Sequence, residues 1–294
     1  MIKLIRSLLL ILLLTAPISN VVFAKNKKSP DVRSAMAMVV HQNSDKVIYQ
    51  KKAYTKTSIA SLTKLMTAMV LIDSGINLDE KVKISKLDID RLKWTGSRIP
   101  IGTKLTRLQL LSISLMSSDN RAASALSRSY PGGKKAFIRA MNVKALKLGM
   151  HNSRFEDPTG LDKRNISTAK DLVRMARAAY QYPLIRELST NPRDTVKVGK
   201  YKQRLGFSNT NSLVRKGQWN IGLSKTGFIR EAGRCLLMQT TINNEPVIIV
   251  LLDSYGKYTR IADAKRIRKW MENNATKSQA LNELPGLIKL PSPS

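Results

Sequence analysis

Ser61-Leu62-Thr63-Lys64 sets a hydroxyl and an amine three residues apart. On a helix such positions share a face about 5–6 Å apart, so the amine can reach the serine proton. Two features of the surrounding sequence favour that chemistry. Ser61 falls in the first turn of a periodic apolar segment, where free backbone N–H groups and the helix dipole favour developing negative charge. Lys64 lies among Leu62, Leu65 and Met66, and burial there favours the neutral amine that a general base requires. The same spacing recurs at Ser167–Lys170 and Ser254–Lys257, where a helix start and a loop after a strand are adequate readings.

Two further polar triplets could complete such a site. In Ser118-Asp119-Asn120 the serine can both donate and accept a proton, and the asparagine amide can hold a peptide carbonyl or N–H. A turn followed by a helix cap suits the same composition. Lys225-Thr226-Gly227 lies on an expected strand. It offers a fixed positive charge, a hydroxyl for a substrate carboxylate and room for close backbone approach along a strand edge. A strand ending in a glycine turn is the plainer reading. Other chemistries have little support: His41 and His151 sit in no nucleophile motif, and with Cys235 they make no ligand set, so neither metal nor cofactor is expected.

The elements that must position these residues follow from periodicity. Ala35–His41 and Lys46–Tyr49 read as strands joined by a turn. Apolar residues at Ile59, Leu62, Leu65, Met66, Met69 and Val70 predict a buried helix over 58–74, stopped at Gly75. A helical middle follows, with capping-box patterns at Thr106/Gln109 and Thr168/Asp171 and a further helix ending at Gly149. Strands return at 220–226, 235–242 and 247–253, the last two joined by Asn243-Asn244, and an amphipathic helix spans 259–273. Strands at both ends and helices between them predict an α+β fold, with one antiparallel sheet formed by both chain ends and flanked by helices.

Composition bounds the partners. The 294 residues carry 51 Lys+Arg against 20 Asp+Glu, a formal charge of +31, yet 43% are apolar, which excludes a disordered basic tail. Nucleic acid is not expected: aromatics are only 5%, no zinc-finger pattern exists, and the basic residues spread over helical faces. Lys3 and Arg6 before the apolar run Leu8–Leu14, then Pro17 and Val22-Phe23-Ala24, predict a cleaved signal peptide over 1–24. Its removal lowers the charge by two and directs the protein across the inner membrane, with the periplasm as destination. There the excess charge could contact anionic envelope surfaces. Residues 25–33 are expected to be a flexible lead-in, 34–274 one folded domain and 275–294 a loose tail. Cys235, alone in an apolar run, is expected to be an inert buried hydrophobe.

The three motifs in this order are the signature shared by class A β-lactamases and penicillin-binding proteins. Ile59-Ala60-Ser61-Leu62-Thr63-Lys64-Leu65-Met66-Thr67-Ala68, Pro158-Thr159-Gly160-Leu161 and Lys225-Thr226-Gly227-Phe228 resemble the low-molecular-mass penicillin-binding proteins that act as D-alanyl-D-alanine carboxypeptidases and endopeptidases. The resemblance implies a β-lactamase/transpeptidase-like fold over about residues 30–273. It implies Ser61 as acylated nucleophile, Lys64 as base and Ser118 as relay. Asn120, Lys225, Thr226 and Gly227 would bind substrate, and the backbone N–H groups of Ser61 and Phe228 would form the oxyanion hole. The expected substrate is a peptidoglycan peptide, with β-lactams as covalent inhibitors.

Within that family, the chain after Gly227 is used up by strands, one helix and a tail, which favours an endopeptidase cutting D-alanyl–diaminopimelyl cross-links. A carboxypeptidase is the alternative, and a non-catalytic binder of anionic wall polymer is the rival from another class. A β-lactamase is disfavoured because no E-x-x-L-N segment lies between Asn120 and Lys225, although Glu156 and Glu187 do.

Overall fold

A computed structural model describes residues 29–198 and 203–282. The expected signal peptide, the start of the lead-in and the end of the tail lie outside the described residues. Strand β1 (Met36–His41) turns into β2 (Val47–Lys51), as the apolar runs predict. The expected helix over 58–74 divides into three pieces. It begins as a short strand β3 (Thr57–Ser58), tightens into a 3₁₀ turn (Ala60–Leu62) and continues as helix α1 (Thr63–Asp73). Ala60 has φ +46°, a left-handed conformation costly for a residue with a Cβ. Tertiary contacts must hold it there.

The helical middle begins after β4 (Lys81–Lys83) and β5 (Lys104–Thr106) with α2 (Arg107–Met116), α3 (Asn120–Arg128) and α4 (Gly133–Lys147). Thr106 and Gln109 form the expected reciprocal capping box. The strand β6 (Ile166–Ser167) pairs with β3 and leads to α5 (Ala169–Tyr180) and α6 (Pro183–Thr190). Only half of the second expected box forms. Thr168 caps Asp171 N–H, but the Asp171 carboxylate turns to Asn152 N–H, Ser153 and Arg174. A hairpin, β7 (Arg193–Val198) and β8 (Gln203–Ser208), and the short α7 (Ser212–Lys216) complete this region.

The chain then returns to the sheet through β9 (Ile221–Ile229), β10 (Gly233–Ile242) and β11 (Glu245–Ser254). Asn243 and Asn244 both take positive φ, as a two-residue hairpin turn demands. The order is β2-β1-β11-β10-β9, antiparallel throughout, with Ala37 opposite Leu251 and Leu237 opposite both Val250 and Lys225. Both faces are covered, so Val247–Leu252 are all fully buried and read as an unbroken apolar run. Ala37, Val39, Leu236 and Met238 face the last helix, α8 (Thr259–Asn282). Met36, Met38, Val40 and Leu237 face the helical body. Lys225 shares the parity of Leu223 and Ile229, which puts it on the side of the helical body.

Three boundaries differ from the sequence expectation. The strand expected to end at Thr226 continues to Ile229, so Gly227 lies inside a strand and not in a turn. The helix α8 extends nine residues past 273, so the first part of the expected tail is helical. Residues 30–33 are anchored: Pro30 and Val32 are buried, and Arg33 and Ser34 N–H donate to the Asp263 carboxylate on α8 at 3.0 and 2.7 Å. Ser34 Oγ adds a bond of 2.6 Å. Cys235 is fully buried, and burial pushes its thiol up to about 11, in line with an inert role.

The 3₁₀ turn at Ala60–Leu62 is pinned by the loop 157–162. The buried Asp157 carboxylate accepts from Thr159 and Gly160 N–H, each at 3.0 Å, and from the Thr159 hydroxyl. Asn165 bridges this loop to α1, accepting from Asp157 N–H and donating to Thr63 Oγ1 at 3.0 Å. Gly160, at φ +83°, presses so close to Ala60 that a Cβ there would stand 1.9 Å from its carbonyl oxygen.

Two substitutions test these anchors. Asp263→Ala leaves the Arg33 and Ser34 donors without their buried acceptor and is expected to cost about 3 kcal/mol in urea unfolding. Gly160→Ala meets both a backbone clash and a strained φ, and is expected to lower the thermal midpoint by about 5–10 °C.

Candidate active site

The site is built around two buried lysines. Lys64, on the first turn of α1, is fully buried, and its Nζ lies 2.9 Å from Ser61 Oγ, 2.7 Å from Asn120 Oδ1 and 2.7 Å from the Thr159 carbonyl. Three acceptors match the three N–H bonds of an ammonium. On losing a proton the amine keeps its bonds to Asn120 and Thr159 and turns a lone pair towards Ser61. Desolvation lowers the Lys64 pKa to about 8, opposed by the negative charges of Asp157, Asp119 and Asp90.

Ser61 itself lies in the 3₁₀ turn and not in the α-helix proper, with 9% of its surface exposed. Its N–H belongs to the first turn of a helical segment, where no preceding intrahelical carbonyl can take it. Gly227 on β9 runs directly against this turn: a Cβ there would lie 3.0 Å from Ala60 Cβ and 3.1 Å from Ser61 N. The room that glycine provides is therefore filled by the nucleophile turn. This contact places the Phe228 backbone next in line to Ser61, while the Phe228 side chain is exposed with Arg234 over its ring.

Ser118 ends α2 at φ +63°, and Asp119 caps α3 through Ala122 N–H at 2.9 Å, so both the turn-and-cap reading and the site reading of this triplet hold. Ser118 Oγ accepts from Lys225 Nζ at 2.9 Å, whereas Asn120 is the member of the triplet bonded to Lys64. Ser118, the expected relay, is thus bonded to Lys225 and not to Lys64. Asn120 is steadied in turn by Thr95, whose Oγ1 accepts from its Nδ2 at 2.9 Å, and Thr95 is gripped by Asp90.

Lys225 differs from its expected role as a fixed charge. It is 1% exposed, and burial, then the charges of Lys64 and Arg260, hold its pKa well below the ordinary lysine value. Besides Ser118 it reaches, among the described residues, only the Thr226 carbonyl, at 3.1 Å. Thr226 Oγ1 shares a 2.6 Å hydrogen bond with Thr210 Oγ1. The competing serine–lysine spacings have no such geometry. Ser167 bonds Ser153, Ser254 bonds Ser34, and the partner lysines lie over Tyr54 and Tyr258.

Sequence reasoning missed Asp90, Thr95, Asp157, Asn165 and Thr210. Of these, Asp157 alone had a signal, as the residue before Pro158-Thr159-Gly160-Leu161. The others act through loop contacts that no local pattern records: Asp90 with Thr95, Thr95 with Asn120, Asn165 with Thr63 and Thr210 with Thr226.

Comparison with known proteins agrees with this geometry. The family model described as D-alanyl-D-alanine carboxypeptidase matches residues 23–256. A D-alanyl-D-alanine endopeptidase of Pseudomonas aeruginosa is 49% identical over 242 residues, covering 82% of this chain and 78% of the relative. One of the same description from Escherichia coli is 48% identical over 249 residues, covering 85% and 80%. The crystal structure of a Streptomyces DD-transpeptidase superposes with a TM-score of 0.77 at 31% identity, covering 83% of this chain and 98% of that one. With a fold of that kind and a serine–lysine pair at its centre, the chain belongs to the D-alanyl-D-alanine carboxypeptidase family of serine hydrolases.

Proposed function

We propose that this protein is a DD-endopeptidase that hydrolyses D-alanyl–diaminopimelyl cross-links of peptidoglycan through an acyl-enzyme on Ser61. The observation that carries the reading is Lys64 Nζ, 2.9 Å from Ser61 Oγ in a fully buried setting. Neutral Lys64 takes the Ser61 proton as Oγ attacks the D-alanyl carbonyl. The oxyanion is received by the N–H groups of Ser61 and Phe228, donors of a kind worth about 3–4 kcal/mol each. Ser118, held by Lys225, delivers a proton to the leaving amine and is reprotonated by the proton Lys64 took, so Lys64 is neutral again when it activates the water that resolves the ester, and the water's proton returns to Ser61 Oγ. Asn120, Lys225, Thr226 and Gly227 shape the substrate side.

Relatives at 48–49% identity are described as endopeptidases and one at 31% as a carboxypeptidase, which favours cross-link cleavage over removal of terminal D-alanine. β-Lactams would acylate the same serine and leave slowly. Glu156 is engaged by Arg154, and Glu187 is exposed on α6, so neither is placed here as the activator of deacylating water. Action in the periplasm, after removal of residues 1–24, belongs to the same proposal. So does attraction of the positive surface to the anionic wall, which salt would weaken in a sedimentation series with purified peptidoglycan.

Purified muropeptide dimers should become monomers, and Ser61→Ala should reduce that rate by at least about 10⁴-fold. Release of D-alanine alone from pentapeptides would support the carboxypeptidase instead. Since the working form of Lys64 is the neutral amine, kcat/KM should fall as pH drops below its pKa of about 8 and level off above it. A profile flat between pH 6.5 and about 9 would count against Lys64 as the base.

A further inference from the structure

We propose that a groove beside Ser118 is a subsite for a carboxylate of the substrate's stem peptide, with Arg98 as the residue that reads it. The inference rests on the peptidase function proposed above. The groove, about 420 Å³, has Ser117–Asn120 as its floor, Gly96–Arg98 as one wall and the β8 segment Gly206–Ser208 as the other. It opens directly onto Ser118 and Asn120, the two residues that hold Lys225 and Lys64.

Arg98 is exposed, yet its guanidinium is fixed from two sides. It donates to the Gly206 carbonyl, and its Cζ lies 4.7 Å from the centre of the Phe207 ring. A guanidinium carries five N–H donors in a planar fork, and Gly206 occupies one Nη. Arg107 pairs with Glu80, Arg128 with Asp88 and Arg164 with Asp162, while Arg121, beside Asn120, is turned to the Ile99 carbonyl and Arg234 to the Phe228 ring. Arg98 has no carboxylate partner among the described residues. The acid that shares its groove, Asp119, is already committed: one oxygen accepts from Ala122 N–H and the other from Ser97 Oγ at 2.7 Å. A braced, unpaired fork at the rim of a polar groove is suited to bidentate capture of an external carboxylate, at little further entropic cost.

Asn120 also borders a second groove of about 350 Å³, formed with residues 87–92 and the loop of Asp157, Thr159 and Leu161. The two grooves meet at Asn120, the partner of Lys64, and leave open space on either side of it. Besides any C-terminal carboxylate, stem peptides offer two free side-branch carboxylates, one on the D-glutamyl residue and one on the diaminopimelyl residue. Amidation removes the charge of either with almost no change of shape.

The test compares kcat/KM on four muropeptide dimers, each carboxylate free or amidated. The wild-type protein should prefer the free form at one of the two positions by about 10- to 100-fold, the range of a charged hydrogen bond. Arg98→Gln should bring the two forms to equal rates, and Arg98→Lys should restore only part of the preference. A merely structural role would slow free and amidated substrates in the same proportion. Absence of preference in the wild-type protein, or its survival in Arg98→Gln, overturns the proposal. If no dimer is cut, the endopeptidase reading fails, and the same comparison on pentapeptides, read by D-alanine release, decides the role of Arg98.

Discussion

The removal of the Lys64 amine from water is the constraint on which the site depends. A lysine in the ordinary state holds its proton at neutral pH and cannot act as a base. Burial lowers the affinity for that proton, and the three nearby carboxylates at Asp157, Asp119 and Asp90 limit how far it falls. The outcome is an amine that is neutral in roughly one molecule in ten at pH 7. Its three acceptors come from three separate parts of the chain: the 3₁₀ turn, the start of α3 and the loop after α4. Those segments cannot move independently without leaving a buried polar group unpaired.

A second lysine close by adds tension to this arrangement. Lys225 feels its own burial first and then the charge of Lys64 and of Arg260, so it too gives up its proton more readily than an ordinary lysine. The two amines divide the two serines between them, Lys64 bonding Ser61 and Lys225 bonding Ser118. The site therefore has two hydroxyl–amine pairs, one at Ser61 and one at Ser118.

Much of this frame was legible because its signals are local. Alternation and unbroken apolar runs located the sheet, with the turn at Asn243-Asn244, and the three motifs supplied both lysines, both serines and Asn120 at the centre of the site. What escaped the sequence was non-local or concealed by burial. Helix α1 is buried at every position from Thr63 to Leu71, so its first turns showed no polar face to mark where the strand and 3₁₀ turn gave way to helix. Lys225 looked like a surface charge because no pattern reveals that β9 faces the helical body at that residue. The pairing of Ser118 with Lys225, and the gripping of Asn120 by Thr95, depend on loops whose ends are far apart in the chain.

The topology of the sheet has a consequence for when the protein can become active. Strand β1 is made near the beginning of synthesis, yet its partner β11 spans Glu245–Ser254, and Ser34 beside it is held by Asp263 still further on. The early strand pair must therefore wait, with an apolar face unpaired, until almost the whole chain is available. The serine and its lysine are adjacent in sequence, but β9 and the loop at Gly160 must both arrive before the strained Ala60 turn is held in place. Partly made chains carry the motif without the geometry, so the site is assembled late in folding.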